Sequence, residues 1–134
     1  MTKTQDRNIC FTVSIILLML TTPASAEWVK LLEKTIEGNE TVFYVDPLTI
    51  RRDGHFRRIW VLHEWKERDH GALSGRLLHE YDCKEERIRT LAFTVHSERM
   101  AEGRILSYDD RIEDWQYIAP GSIGETYLKF ACTQ

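Results

Sequence analysis

Histidine is the residue type in this sequence whose chemistry best suits a metal site or proton transfer near neutral pH. The segment His63-Glu64-Trp65-Lys66-Glu67 begins like the H-E-x-x-H motif of zinc proteases, but Glu67 stands where the second histidine is required. No other pair of histidines has a recognised ligand spacing, so we expect no metal ion and no cofactor. Exposed or edge-strand positions explain the five histidines better: His55, His63, His70, His79 and His96.

A second candidate for chemistry is Ser122 in the segment P-G-S-I-G, which is superficially similar to the G-x-S-x-G nucleophile motif. Pro120 occupies the position of the first glycine, so the motif fails. No glycine-rich phosphate loop follows a strand, and adjacent acids such as Asp109 and Asp110 point apart in a strand or turn. We therefore predict no catalytic residue and expect that the protein is not an enzyme.

The most basic stretch of the chain flanks a turn at Asp53-Gly54 and contains the candidate binding residues Arg51, Arg52, Arg57 and Arg58. One interpretation is a cationic hairpin tip that binds an acidic protein partner, a matrix polymer or a membrane surface. The other is a solvated hairpin whose charge is balanced by acids elsewhere. The formal net charge of −3 over 134 residues excludes a protein whose whole surface binds nucleic acid.

The first 26 residues have the features of a secretory signal peptide. A polar, charged start precedes an apolar run at residues 9–20, and Pro23 and the Ala24-Ser25-Ala26 ending follow. The alternative is a membrane anchor, but twelve residues of helix reach only about 18 Å of the ~30 Å hydrocarbon core. We expect cleavage after Ala26, no stable membrane anchor afterwards, and a single domain at residues 27–134.

Two cysteines, Cys83 and Cys132, remain after this cleavage, and an even pair in an exported chain predicts a disulfide. Such a bond closes about 50 residues and contributes roughly 4 kcal/mol on the chain-entropy model. Free or metal-binding thiols are the alternative, although neither cysteine has a C-x-x-C partner. The third cysteine, Cys10, precedes the apolar run rather than lying at the cleavage point, so we predict no lipid anchor.

Apolar and β-branched runs predict several strands. Residues 41–45 form one that Asp46-Pro47 ends, and residues 55–65 are apolar on both faces, as in a central strand. We expect a loop at residues 68–75. Alternation at residues 87–96 predicts a half-buried strand with Leu91, Phe93 and Val95 on one face. The remaining expected strands are residues 76–83, 103–108 and 114–118.

The end of the chain is predicted to be helical. Ser122 and Glu125 form an S-x-x-E capping box, and apolar residues then recur at helical spacing: Ile123, Tyr127, Phe130 and Ala131. This helix of about ten residues would lay its apolar face on the sheet. Cys132 near its last turn would join it to the strand that ends at Cys83. The expected fold is α+β: a mostly antiparallel sheet, one C-terminal helix packed on it, and a disulfide.

Several stretches, read together, resemble the surface-adhesin protein E family of small exported bacterial proteins. Their order and spacing cover nearly all of residues 27–132. The stretches are Y-V-D-P-L-T-I at residues 44–50 with Asp53-Gly54 and Trp60-Val61-Leu62, Y-D-C-K-E-E-R-I-R at residues 81–89 with Leu91, and Trp115 followed by P-G-S-I-G-E at residues 120–125 and Cys132.

The resemblance implies an antiparallel sheet with a helix, a Cys83–Cys132 bond and no catalysis. It also implies an adhesin-like binding module that attaches to host or matrix proteins, with a homodimer as one oligomeric state. The expected location is exported: periplasmic, secreted or on the cell surface. The alternative function is a small periplasmic enzyme or inhibitor of unknown ligand. An exposed aromatic or basic patch would favour the binding module, whereas a deep pocket with a perturbed titrating group would favour the alternative.

Overall fold

The computed structural model describes residues 26–134. The predicted signal peptide, apart from Ala26, therefore lies outside the described residues. Eight strands and one helix make up the regular structure: β1 (Val29–Ile36), β2 (Asn39–Val45), β3 (Arg51–Asp53), β4 (Phe56–Asp69), β5 (Ala72–Asp82), β6 (Arg87–His96), β7 (Ile105–Asp109), β8 (Gln116–Tyr117) and α1 (Ile123–Cys132).

All strand pairs are antiparallel, and the sheet order β1-β2-β4-β5-β6-β7 follows the chain. The short strands β3 and β8 pair with β4 and β6, next to the places where β2 and β7 end. A 3₁₀ turn at Pro47–Thr49 separates β2 from β3, as the Asp46-Pro47 signal predicts. The predicted fold class, an antiparallel sheet with one C-terminal helix, is confirmed.

One side of the sheet, here called the helix face, packs against α1. Side chains alternate along each strand, so every second residue of the central strands reaches this side. The other side, here called the open face, has no α-helix over it in the described part of the chain. A 3₁₀ turn at Arg99–Ala101 covers one end of it, where the N–H of Met100 donates to the Glu64 carboxylate at 3.2 Å. The buried apolar cluster between sheet and helix consists of Phe43, Val45, Ile59, Val61, Tyr81, Tyr127, Leu128 and Ala131.

The hairpin turn predicted at Asp53-Gly54 is confirmed, because Asp53 pairs with Phe56 and Gly54 has a positive φ of 55°. The loop predicted at residues 68–75 is wrong. Asp69 pairs directly with Ala72, so only His70 and Gly71 lie between the strands. Both have positive φ, the geometry of a tight two-residue hairpin turn. The polar residues in this stretch belong to a projecting hairpin end, which does not need apolar side chains.

The strand predicted at residues 87–96 is confirmed, but its alternation is interrupted. His79 pairs with Thr90 and Leu78 with Ala92, so Leu91 is an extra residue in a bulge. Phe93 pairs with Leu77, which lies on the same face as His79. Thr90 therefore shares the helix face with Phe93, although strict alternation places Thr90 on the opposite side.

The helix begins and ends where its signals predict. The Oγ atom of Ser122 accepts from the N–H of Glu125 at 3.2 Å, and the Glu125 carboxylate accepts from the N–H of Gly121 at 2.7 Å. Cys83 and Cys132 are bonded, with their Cα atoms 5.8 Å apart. The disulfide joins the end of α1 to the residue after β5, as the sequence predicts.

Candidate binding surface

The four arginines of the hairpin tip are divided between the two faces of the sheet. Arg51 pairs with Arg58, and Arg52 pairs with Arg57. Directly opposed residues point to the same side and consecutive residues to opposite sides. Arg51 and Arg58 therefore lie on the open face, and Arg52 and Arg57 on the helix face. The single cationic tip suggested by the sequence is two smaller clusters, and its role in binding stays a prediction.

The tip arginines also differ in their bonds. Arg57 donates to the carbonyl oxygens of Gly54 at 2.7 Å and Phe56 at 2.9 Å, so it stabilises the turn. Arg52 donates to the backbone carbonyl of Gln134 at 3.0 Å, and exposed Arg51 donates to the carbonyl of Ile50. Neither Arg51 nor Arg52 has an ion pair with a carboxylate in the described part of the chain. These two charges are the ones most available to a partner.

A buried carboxylate lies between two guanidinium groups at this end of the open face. Glu80 accepts from Arg58 at 2.5 Å and from Arg89 at 2.6 and 2.8 Å. The register places the three residues side by side on β4, β5 and β6. Burial pushes the pKa of Glu80 upward, but the hydrogen bonds from both arginines outweigh it and hold that pKa below its ordinary value.

An aromatic side chain completes this end of the open face. The guanidinium carbons of Arg89 and Arg87 lie 4.4 and 5.2 Å from the ring centroid of Trp115, within cation–π range. Arg87 also pairs with buried Asp82 at 2.7 Å. We call this surface the arginine–tryptophan patch; its residues are Arg51, Arg58, Arg87, Arg89 and Trp115. Four guanidinium groups surround only two carboxylates, so the patch remains positively charged.

Sequence reasoning missed three of these five residues. The R-I-R spacing of Arg87 and Arg89 contains the signal, because residues two apart in a strand share a face. Trp115 has no comparable local signal. It reaches the patch only because the chain returns along β6, where β8 pairs with the start of that strand.

The edge strand β7 exposes apolar side chains. Ile105 is 62% exposed and Tyr108 61% exposed, and Leu106 is also exposed. The outer side of β7 has no strand beside it in the described sheet, so its backbone groups can pair with another chain. An edge of this kind suits contact with a protein, through strand addition or apolar packing.

Two buried histidines lie on the helix face beneath α1. Burial lowers the pKa of His63 to about 4 and that of His79 to about 3, with the neighbouring His63 adding to the second shift. The Nδ1 atom of His79 lies 2.9 Å from the hydroxyl of Tyr81, while Nε2 of His63 is buried without a hydrogen-bond partner. Both rings pack near the ring of Tyr127. They are core residues that stay neutral at neutral pH, contrary to the exposed or edge-strand positions we expected for the histidines.

A groove of about 470 Å³ opens beside the start of α1, and His63 is one of its lining residues. Thr41 is the only hydroxyl side chain among the lining residues, and it is buried and directed at the carbonyl of Asn39. The described residues contain no group of three His, Cys, Asp or Glu side chains that could hold a metal ion. Across residues 26–134, no helix has the length and apolar character needed to cross a membrane.

The chain is similar to known proteins in both sequence and structure. The sequence model of the family described as Surface-adhesin protein E matches residues 28–133. A search of curated proteins found no significant match. Crystal form II of Haemophilus influenzae protein E is similar with a TM-score of 0.57 and 12% identity, covering 81% of this chain and 97% of that one. Another structure of Haemophilus influenzae protein E has a TM-score of 0.59 and 11% identity, covering 81% of this chain and 86% of that one.

Proposed function

Because the chain belongs to the surface-adhesin protein E family, we propose that it is an exported, non-catalytic binding module that attaches to host or extracellular-matrix proteins. The observation that supports attachment is the arginine–tryptophan patch at the hairpin end of the open face. It combines excess positive charge with an aromatic side chain on a continuous sheet. Arginine and tryptophan are the residue types most often found at the energetic centre of protein interfaces.

The chemistry of the patch favours acidic protein surfaces. Exposed guanidinium groups steer an acidic partner toward the sheet and then form forked hydrogen bonds with its carboxylates. Within the patch Arg51 carries this role best, because it has no ion pair with a carboxylate in residues 26–134. Arg52, on the helix face of the same hairpin tip, has none either and can extend the contact around the tip. Salt should weaken the attachment, since exposed charges are screened beyond about 8 Å at physiological ionic strength.

The test is charge reversal at the two unpaired arginines. The double variant Arg51→Glu/Arg52→Glu should bind matrix proteins and cells at least about tenfold more weakly, since charge-assisted hydrogen bonds contribute roughly 1.5–3 kcal/mol each. Binding is measured by surface plasmon resonance on immobilised laminin, fibronectin and vitronectin, at two salt concentrations. Extending the reversal to Arg57 and Arg58 tests the whole tip predicted from the sequence.

A matched control is Lys34→Glu/Arg104→Glu, which changes the net charge equally at exposed positions outside both the patch and the hairpin tip. This control should retain binding. Equal binding by the wild type and the Arg51/Arg52 variant would show that the tip is not the contact. Equal loss in both variants would show an effect of net charge alone.

We also propose that two copies associate through β7, giving a homodimer. The support is the two exposed side chains of Ile105 and Tyr108, which pair with His96 and Thr94 and so share one face of an edge strand with an unpaired outer side. Ile105→Lys places a charge on that face and should shift the protein toward the monomer in sedimentation velocity experiments. A wild-type protein that stays monomeric at high concentration would contradict this proposal.

The alternative, a small enzyme or inhibitor, has one supporting feature. The groove beside α1 is lined in part by His63, a titratable group whose pKa is strongly perturbed by burial, as is common at active sites. A broad hydrolase screen of the pure protein tests this alternative. Turnover that His63→Gln abolishes, in a variant that remains folded, would replace the binding module with an enzyme.

A further inference from the structure

A second concave site lies on the open face, away from the arginine–tryptophan patch. It is a cleft of about 340 Å³ between Trp28, the Pro47–Thr49 turn and the central strands. Its volume falls in the range of small-molecule sites. Its lining residues include Trp28, Asp46, Leu48, Thr49, Trp60 and Arg76.

Arg76 is the unusual residue of this cleft. Its guanidinium carbon lies 4.8 Å from the ring centroid of Trp60, so one face of the group is covered by an indole. Within residues 26–134 the Arg76 side chain has no ion pair and no hydrogen bond, and its Nε atom is buried without a partner. Buried polar atoms are rarely left in this state in native proteins.

The three other half-buried or ion-paired arginines along the central strands of the open face differ from Arg76, whereas Arg51, which also has no ion pair, is exposed at the hairpin tip. Arg58 and Arg89 bind Glu80, and Arg87 binds Asp82, so each has a carboxylate from a neighbouring position on the sheet. Arg76 sits on the same face of β5 with its forked donors unused. A stacked, half-buried guanidinium with free donors is suited to hold a carboxylate from a ligand.

The wall of the cleft is fixed before any ligand arrives. The N–H of Trp60 donates to Thr49 Oγ1 at 3.1 Å, and Thr49 Oγ1 donates to the carbonyl of Asp46 at 2.7 Å. The N–H of Asp46 in turn donates to the carbonyl of Trp60 at 3.0 Å. Two of these bonds join the turn to β4 and the third closes the turn on itself, so little conformational entropy is lost at this wall on binding.

The remaining groups of the cleft define what accompanies the carboxylate. The Asp46 side chain accepts from the N–H of Leu48 at 3.1 Å, and its spare lone pairs can accept from a ligand hydroxyl. The same carboxylate would repel a multiply charged anion such as phosphate. Trp28, Trp60 and the 69% exposed Leu48 offer apolar surface for the C–H face of a ring.

One class of small molecule carries all three features: a carboxylate, hydroxyl donors and a ring with an apolar face. We propose that this cleft binds a uronic acid residue of an acidic saccharide. Its carboxylate would lie against Arg76, its hydroxyls toward Asp46, and its ring against Trp28 and Trp60. The site goes beyond the proposed attachment to proteins and does not depend on it.

The experiment is a titration with tetragalacturonate, followed by the indole N–H signals in NMR spectra of the folded protein. The signals of Trp28 and Trp60 should shift and saturate, while those of Trp65 and Trp115 stay in place. Arg76→Gln should weaken binding at least about tenfold, as expected for a lost charged hydrogen bond. Arg76→Lys should fall between this variant and the wild type, because lysine keeps the charge but not the fork.

Arg104→Gln is the matched control, since it removes the same charge from an exposed position outside both this cleft and the arginine–tryptophan patch. It should bind like the wild type, and the methyl ester of the probe should bind poorly. Shifts confined to Trp115, or an equal loss in Arg104→Gln and Arg76→Gln, would overturn the proposal in favour of general charge attraction. A hexaglutamate peptide that binds as tightly as the saccharide would overturn it in favour of an acidic peptide site.

Discussion

Glu80 is the residue that joins the central strands on the open face, because its carboxylate accepts from arginines on both neighbouring strands. The carboxylate is buried, so removing its charge leaves two guanidinium groups without their shared partner. We predict that Glu80→Gln lowers the free energy of unfolding by about 2 kcal/mol, the loss expected for charge-assisted hydrogen bonds. Urea denaturation followed by circular dichroism measures it.

The control for Glu80→Gln is Glu85→Gln, which removes the same charge from an exposed turn residue. This second variant should unfold at the wild-type urea concentration. If the two variants were equally stable, the buried carboxylate would contribute no more than a solvated one. The ion pairs of the open face would then serve recognition alone.

The buried histidines predict a pH dependence of stability. In the folded state the pKa of His63 is about 4 and that of His79 about 3, below the ordinary value of 6.5. Below pH 6.5 the unfolded chain therefore binds protons that the folded chain excludes. The free energy of unfolding consequently decreases as the pH is lowered. We expect a loss of about 1–2 kcal/mol per histidine between pH 7 and pH 5.

Between pH 7 and pH 5 we expect the histidines, and not the buried carboxylates, to change the stability. The pKa values of Glu80 and Asp82 are lowered in the folded state, so both carboxylates stabilise the fold at any pH above their unfolded-state pKa values near 4. That contribution is lost only below this pH. His63→Gln should reduce the loss between pH 7 and pH 5, whereas His70→Gln, at a 98% exposed side chain, should not. A pH-independent wild type would show that water reaches the two buried rings.

At the scale of elements, the disulfide is the covalent link between α1 and the sheet. It closes a loop with a sequence separation of 49 residues. We predict that the double variant Cys83→Ser/Cys132→Ser loses about 2–5 kcal/mol of unfolding free energy, the usual cost in a small exported domain. The measurement is urea denaturation, with reduction of the wild type as a check on the serine substitutions. Equal stability before and after reduction would contradict the prediction.

Elements with strong local signals were predictable from the sequence. The β-branched and aromatic residues 41–45, the Gly54 turn and the Ser122 cap each specify their own structure locally, and all three are observed. The bulge at Leu91 was not predictable, because it depends on register with β5. The sequence interpretation treated the four tip arginines as one cluster. Strand alternation around the turn nevertheless predicts that Arg51 and Arg58 lie on one face of the sheet and Arg52 and Arg57 on the other.

The candidate sites were less predictable than the elements because they depend on register between strands. The bonds of Glu80 join residues nine and 22 positions away in the sequence. The stacking of Arg76 on Trp60 likewise requires two strands to align, and no local pattern sets that alignment. The sequence therefore identified basic residues beside a turn but not the aromatic partners that shape the open face.

At the scale of the whole molecule, the single helix determines which surface is free for partners. α1 covers one side of the sheet and buries the apolar cluster, so function is left to the open face, the hairpin tip and β7. The open face carries charged and aromatic side chains in place of a second apolar layer. A fold with one covered face suits a binding module, because recognition residues can vary there without disturbing the core.

The last prediction concerns export, on which the disulfide depends. We expect the mature protein to begin at Glu27, after the Ala24-Ser25-Ala26 ending, and to carry the Cys83–Cys132 bond because the compartment is oxidising. Mass spectrometry of protein from periplasmic and culture fractions measures both the terminus and the bond. A variant lacking residues 2–26 is the control: it should stay in the cytoplasm with both thiols open to alkylation. An intact Met1 in the exported fraction, or a lipid-modified terminus, would contradict the cleavage site.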